Sequence, residues 1–245
     1  MKKNIIFSLL SLLLLIGVSA CETDNYDGPK ETFRGAFIDK VTKQPFQSAI
    51  GNTGIRIRMM EYSWSDNPKP YDFNCMMDGT FNNTKIFAGT YGLEPEGAFV
   101  PLDLKNERFK IAGTYEKIFE VEPLLRVEWI GEPSVNADGT ADVKVKITRG
   151  TDNPDYQQAI EEAWLFVSET GYVGDFSFSN RFSTQLVGGA VSNILDKEIT
   201  IRTKGQFPTY SRKFFLRVGA RTTKKFSGTN RYNYTTIKEI TTIAR

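Results

Sequence analysis

The stretch DGTFNNTKIFAGTYGLEP, residues 78–95, indicates the class of fold. It begins with the pair Asp78-Gly79, which favours a tight turn because glycine adopts positive φ without steric cost. Two short runs rich in Phe, Thr, Tyr and Ile follow the turn, and they predict the strands Thr80–Phe87 and Thr90–Glu94. The stretch therefore favours antiparallel β-structure over helix.

Runs of this kind recur along the chain, and no long window has the 3.6-residue apolar period of a helix. The other predicted strands are Thr32–Ile38, Ile55–Tyr62, Tyr115–Val121, Leu125–Ile130, Ala141–Arg149, Ala163–Ser168, Glu198–Lys204, Lys213–Arg221 and Tyr234–Ile240. Asp138-Gly139 is a second hairpin signal, and Asp155–Ala163 is the one helical candidate. The many short strands predict an all-β protein with two β-sandwich domains in tandem, residues 32–123 and 124–245.

The N-terminus predicts export and lipid attachment. Lys2 and Lys3 precede the apolar run Ile5–Ile16, which is too short to span about 30 Å of hydrocarbon and fits a secretory signal peptide. Residues 18–21, VSAC, match the bacterial lipobox, in which the cysteine thiol receives a diacylglyceryl group. We expect a signal peptide at residues 1–20 and a lipidated tether at 21–31 that holds the protein to a membrane through Cys21. An ordinary signal-peptide cleavage site is the alternative.

The composition excludes several classes of function. The chain has no histidine, which removes the usual Ser-His-Asp and Cys-His machinery and any histidine-based zinc site. Its net charge is +2, and it is zero without Lys2 and Lys3, so nucleic-acid binding is not expected. Cys75 is the only cysteine besides Cys21, and a packed thiol is favoured over a nucleophile because no histidine can activate it. No metal, cofactor or catalytic residue is predicted, although a pair of carboxylates remains an open route to glycosidase chemistry.

Longer stretches carry a resemblance to a known group of proteins. FRGAFIDKVTKQPF, residues 33–46, and the stretch 78–95 resemble the transthyretin-like domain of the carboxypeptidase-regulatory type. GNTGIRIRMMEYSWSDNPKPYDF, residues 51–73, is similar to Bacteroidetes surface lipoproteins encoded beside SusC/SusD-type glycan-uptake pairs. Residues 212–240 resemble the second, immunoglobulin- or fibronectin-like domain of the same group. The resemblance implies an outer-membrane lipoprotein exposed at the cell surface, an implication that the acidic residues after Cys21 also favour.

Two sets of residues are candidates for ligand contact. In the strand from Ile55, alternation places Arg56 and Arg58 towards solvent, and the same parity would expose Tyr62 and Trp64. With Tyr71 beyond the following turn, these aromatic residues could stack on sugar rings. Trp64 folded back over the end of the sandwich is the alternative.

The second set is basic. Residues 201–245 contain 11 basic residues and one acidic residue, Glu239. In the strand from Lys213, one face is apolar, and alternation predicts that Lys213, Arg217 and Arg221 form the opposite, solvent-facing side. This face could bind an acidic polysaccharide or an acidic protein, or it could be a solvated face that protects a sheet edge. The loop 171–183 adds Tyr172, Phe176 and Phe182 as either ligand contacts or apolar anchors.

These observations predict a non-catalytic outer-membrane lipoprotein that binds polysaccharide or oligosaccharide as an accessory of a SusC/SusD-type transporter complex. The alternative is a structural or protein-interaction lipoprotein of the cell envelope that binds no sugar.

Overall fold

The computed structural model describes residues 27–242. In the first half, two sheets pack face to face around one apolar core. Their strands are β1 (Glu31–Asp39), β2 (Arg56–Glu61), β3 (Pro70–Asn74), β4 (Thr80–Ile86), β5 (Gly89–Glu96), β6 (Phe109–Ile111) and β7 (Thr114–Val121). One sheet has the order β4-β1-β7 and the other β3-β2-β5-β6; β1 and β7 are parallel, and the other pairs are antiparallel. Alternate residues of β2, Ile57 and Met59, are buried, as the period of two requires.

The second half has the same layered construction around a separate core. Its strands are β8 (Leu125–Trp129), β9 (Ser134–Val135), β10 (Ala141–Arg149), β11 (Ile160–Ser168), β12 (Thr184–Val187), β13 (Glu198–Arg202), β14 (Arg212–Thr222), β15 (Lys225–Phe226), β16 (Thr229–Asn230), β17 (Asn233–Tyr234) and β18 (Lys238–Thr242). One sheet has the order β13-β10-β8, with β9 also on β10, and the other β12-β11-β14-β17, with β18 also on β14. The strand β14 is therefore central, while β15 and β16 form a separate hairpin.

A third buried cluster lies where the two halves meet. Ala49 of the first half packs there with Phe166, Val173, Tyr232 and Tyr234 of the second half. This apolar patch covers the outer face of β14, so that both faces of the strand are buried along much of its length.

The all-β class with β-sandwich layers, predicted from the sequence, is confirmed. The helical candidate Asp155–Ala163, expected to form a turn or two at most, is a single 3-10 turn at Pro154–Tyr156, and β11 begins at Ile160. Asp138-Gly139 closes a hairpin between β9 and β10, as expected, whereas the Asp78-Gly79 turn connects strands of different sheets.

The predicted domain boundary between residues 123 and 124 falls between β7 and β8. Among residues 27–242, no helix has the length and apolar character needed to cross a membrane.

Candidate functional site

Two adjoining grooves lie at the end of the first half where the described chain begins. The first, of about 620 Å³, is here named the Trp64 groove; it is lined by Asp27, Gly28, Lys30, Glu31, Glu61, Trp64, Phe87 and Ala88. The second, of about 360 Å³, is named the Tyr71 groove; it is lined by Pro29, Met59, Glu61, Lys69, Tyr71, Lys85, Ile86, Phe87 and Tyr91. Glu61 and Phe87 belong to both, so the two grooves form one continuous surface.

The indole ring of Trp64 is exposed but held in place. Its side chain is 78% exposed, and its Nε1 donates a hydrogen bond of 2.9 Å to Oε1 of Glu61 at the end of β2. Gly89 allows this arrangement, because a Cβ at that position would lie 2.8 Å from the same carboxylate oxygen. Phe87, 48% exposed, adds a second apolar ring to the groove. A fixed, exposed aromatic surface of this kind can bind the apolar face of a planar or ring-shaped ligand at a low cost in side-chain entropy.

Tyr71 lies in the second groove with part of its ring in solvent. Its side chain is 50% exposed, and its hydroxyl accepts a hydrogen bond of 3.0 Å from Nδ2 of Asn83 on β4. Because Tyr71 belongs to β3 and Asn83 to β4, this bond crosses between the two sheets. Tyr91 forms part of the floor, and burial, together with the nearby Glu61 carboxylate, raises the pKa of its hydroxyl to about 12.

Tyr62 is less available for contact with a ligand than the sequence suggests. The guanidinium of Arg108 stacks over its ring, 3.8 Å from the centroid, and the ring edge also lies over Gly92 of β5. One face of the ring is therefore already covered by a cation. Tyr62 lines neither groove, whereas Trp64 and Tyr71 each line one of two grooves that share Glu61 and Phe87.

The basic residues of β14 have partners within the protein. Lys213 pairs with Glu239 on β18 at 2.8 Å, and Arg221 pairs with Glu161 and Glu162 on β11 at 3.0 and 2.7 Å. The buried Glu162 also accepts hydrogen bonds from Trp164 and Tyr232. Burial raises the pKa of Glu162, but these hydrogen bonds outweigh it and hold the pKa below its ordinary value. The carboxylates neutralise most of the positive charge that the sequence places on this strand.

Arg217 corrects the sequence prediction, because it does not face solvent. Its side chain is completely buried, with a relative exposure of 0%. It donates to the backbone oxygens of Thr235 and Ser48 at 3.0 and 2.9 Å, and to those of Val173 and Met77 at 3.4 and 3.3 Å. Burial lowers its pKa to about 10. The alternation along β14 was predicted correctly, but around Arg217 the outer face of the strand is covered by Ser48 and Met77 of the first half and by Val173 of the second half instead of water.

The remaining candidates are mostly structural. Cys75 is buried, and burial raises the pKa of its thiol far above the ordinary value, as expected of a packed side chain. Phe182 is a core residue, and Phe176 packs partly against the cluster between the halves, while Tyr172 is exposed. No group of His, Cys, Asp and Glu within residues 27–242 is arranged to hold a metal ion. Cys21 lies outside the described residues.

Comparisons with known proteins place the chain in a family. The N-terminal domain model of DUF3823, described as a protein of unknown function, matches residues 31–122. The crystal structure of a DUF3823 family protein from Bacteroides uniformis has 33% sequence identity and a TM-score of 0.78, covering 89% of this chain and 100% of that one. This chain belongs to the DUF3823 family. The expected similarity to proteins from Bacteroidetes is thereby confirmed.

Two other solved structures share the fold of this DUF3823 protein. One, from Bacteroides uniformis, is described as a "putative carbohydrate binding protein"; it has 22% identity and a TM-score of 0.70, over 87% of this chain and 99% of that one. The other, a DUF3823 family protein from Parabacteroides merdae, has 16% identity and a TM-score of 0.62, over 87% and 100%. No curated protein matches the chain. The SusC/SusD association, the lipid anchor and the transthyretin-like and immunoglobulin-like assignments stay predictions.

Proposed function

We propose that this DUF3823 protein is a non-catalytic outer-membrane lipoprotein that binds glycan at the cell surface as an accessory of a SusC/SusD-type uptake system. The observation that carries the proposal is the exposed indole of Trp64, fixed by Glu61 in a groove beside Phe87. Sugar rings have apolar C–H faces surrounded by hydroxyl groups, and such faces stack on aromatic rings. The carbohydrate-binding description of the related Bacteroides uniformis protein supports the same class of ligand.

The position of the groove fits a lipid-anchored protein. Asp27, Gly28 and Lys30, which follow the predicted tether attachment by a few residues, form part of the wall of the Trp64 groove. Five residues lie between Cys21 and Asp27, and the six Cα–Cα steps that join them span at most about 20 Å. With a lipid on Cys21, the groove would stay close to the membrane, where a transporter could take over a bound glycan. Many anchored copies would raise the effective concentration of a weak site.

Affinity electrophoresis of residues 22–245, which contain every described residue, tests glycan binding. We expect a polysaccharide in the gel to retard the wild-type protein and Trp64→Ala to abolish the retardation. Tyr210→Ala is the matched control, since Tyr210 is 57% exposed in the second half and lines neither groove. Retardation that is absent for every polymer, or lost equally in both variants, would contradict the proposal.

The second candidate function is a structural or protein-binding role in the cell envelope. Ile118 favours it, because this residue is 64% exposed on β7, which is an edge strand of its sheet. Exposed edge strands are places where other chains can pair. If this function is correct, an envelope partner should be captured by the wild-type protein and lost with Ile118→Asp, while no polysaccharide retards either protein.

A further inference from the structure

The two grooves differ in their charge. In the Tyr71 groove, Lys69 and Lys85 are exposed, and neither forms an ion pair with any residue in the described range 27–242. In the Trp64 groove, Lys30 is paired with Asp27 at 2.8 Å. The Tyr71 groove thus differs from the Trp64 groove in having two ammonium groups that no carboxylate of residues 27–242 pairs with.

One carboxylate, that of Glu61, also lines the Tyr71 groove. Its Oε1 already accepts the hydrogen bond from the Trp64 indole, so this oxygen faces the other groove. Two lysines against one glutamate leave the Tyr71 groove with an excess of positive charge. Unpaired cations that converge on a groove attract anionic groups and form charge-assisted hydrogen bonds with them.

An aromatic surface lies in the same groove as these cations. The ring of Tyr71 is half exposed and is held by the hydrogen bond from Asn83 and by its contact with Phe73, whose ring centroid is 6.2 Å away. The volume of about 360 Å³ is within the range of small-molecule binding sites. The groove therefore offers a surface for one ring together with cations for a negative substituent on that ring.

We propose that the Tyr71 groove binds an acidic sugar unit of the glycan, with the sugar ring on Tyr71 and its anionic substituent at Lys69 and Lys85. This inference rests on the proposed glycan-binding function and specifies the ligand further. Trp64 then binds a neighbouring sugar of the same chain through contacts that do not depend on charge. The anionic substituent is a carboxylate, as in a uronic acid, or a sulfate ester, and the shared chemistry is a negatively charged oxygen group.

Two matched pairs of polymers separate these sources of charge. Polygalacturonate and its methyl ester differ in free carboxylates, and dextran sulfate and dextran differ in sulfate groups. In affinity electrophoresis of residues 22–245, we expect the charged member of at least one pair to bind about tenfold more tightly than its neutral counterpart. Raising the salt concentration should reduce this difference, because screening weakens interactions between exposed charges.

The double substitution Lys69→Gln and Lys85→Gln removes the two cations from the groove. We expect it to reduce the affinity for the charged polymer by about three- to tenfold. A loss of this size is expected when two exposed ion pairs are removed. Lys197→Gln with Lys204→Gln is the control, because both lysines are exposed in the second half and the change in net charge is the same. This control should bind like the wild type.

The outcomes distinguish the inference from the function on which it rests. If neutral and charged polymers bind equally and the Lys69/Lys85 variant changes neither, the inference is overturned while glycan binding stands. If both double variants weaken binding equally, the attraction is a general effect of charge and the inference is also overturned. If no polymer retards the wild-type protein, the proposed function fails and the inference fails with it.

Discussion

The contact region between the two halves buries a charged side chain, whereas the two grooves expose an aromatic one. Between the halves, the guanidinium of Arg217 is fully buried and its nitrogens find acceptors in both halves. In the grooves, Trp64 is 78% exposed and makes one side-chain hydrogen bond, to Glu61. A buried cation with several acceptors contributes to stability, whereas an exposed indole contributes little to it. The comparison indicates that Arg217 helps to hold the two halves together and that Trp64 is available for a ligand.

Other polar residues between the halves are also buried. Arg231 is buried, donates to the backbone oxygen of Gly54 at 3.1 Å and pairs with Glu96 at 2.7 Å. Asn233 is also buried; its Nδ2 donates to the backbone oxygen of Ala98 at 2.9 Å, and its Oδ1 accepts from the backbone N–H of Leu125 at 3.0 Å. Both ends of the Asn233 amide are paired, which avoids the cost of burying an unpaired donor or acceptor, and Arg231 lies against the opposite charge of Glu96. These contacts set the halves in one arrangement.

The largest expected effect is that of Arg217→Met on stability. Methionine keeps much of the side-chain volume, but it leaves the backbone oxygens of Ser48 and Thr235 without their donor. Buried acceptors that lose their partner are costly, so we expect the free energy of unfolding to fall by about 3 kcal/mol. Urea denaturation of residues 22–245, followed by circular dichroism, measures the change.

Lys213→Met on the same strand is the control for that experiment. Lys213 is exposed and its ion pair with Glu239 lies at the surface, so the substitution should change the free energy of unfolding by about 0.5 kcal/mol or less. Similar losses for the two variants would show that Arg217 does not have the structural role that its contacts indicate.

A smaller effect is expected from Asp39→Asn, and it should depend on pH. Asp39 accepts hydrogen bonds of 2.6 and 3.1 Å from Arg126 of the second half. Burial raises the pKa of Asp39, but the hydrogen bonds from Arg126 and from the backbone N–H groups of Thr42 and Val41 outweigh it, so the pKa lies below the ordinary 3.8. A lowered pKa in the folded state stabilises the fold above the unfolded value, and this contribution is lost as the pH falls through the folded value.

At pH 7 we therefore expect Asp39→Asn to cost about 2 kcal/mol of unfolding free energy. The difference between the variant and the wild type should shrink as the pH falls below about 4, where Asp39 of the unfolded wild type becomes protonated, and should vanish once the pH has passed below the lower pKa of the folded state. Denaturation curves at a series of pH values measure both quantities. A difference that stays constant from pH 7 to pH 3 would mean that the charge of Asp39 does not stabilise the contact.

The sequence predicts most of the local structure but not what covers it. Alternation in β14 predicts one apolar face, and its residues Phe214, Leu216 and Val218 are all buried. The same alternation could not show that the other face of the strand is buried by the first half, because that contact joins Arg217 to Ser48, which is 169 residues away. The strand β3 was missed because Pro68 and Pro70 lie at its start, and proline normally disfavours strand interiors. Proline is tolerated here because β3 is at the edge of its sheet.

The candidate site was predicted in part for a similar reason. Trp64 and Tyr71 could be selected as aromatic residues around a turn, and the structure exposes both. Phe87, Lys69 and Lys85 were missed because no periodic pattern connects them; they meet only when β3 and β4, from different sheets, are brought together. An isolated lysine in a sequence carries no sign that it lacks an acidic partner, and that property appears only in the folded protein.

The smallest expected effect on the free energy of unfolding is that of Trp64→Phe. Trp129 and Trp164 are partly buried against apolar clusters, whereas Trp64 is 78% exposed, so we expect iodide to quench mainly Trp64 fluorescence. Trp64→Phe should remove most of the quenchable emission, yet change the free energy of unfolding by less than about 0.5 kcal/mol. A large loss of stability would mean that the indole packs as a structural plug. A small loss, together with protection of Trp64 from iodide by a polysaccharide, would show that the indole contributes to ligand binding and not to stability. Arg217 would then be its opposite, a residue that contributes to stability.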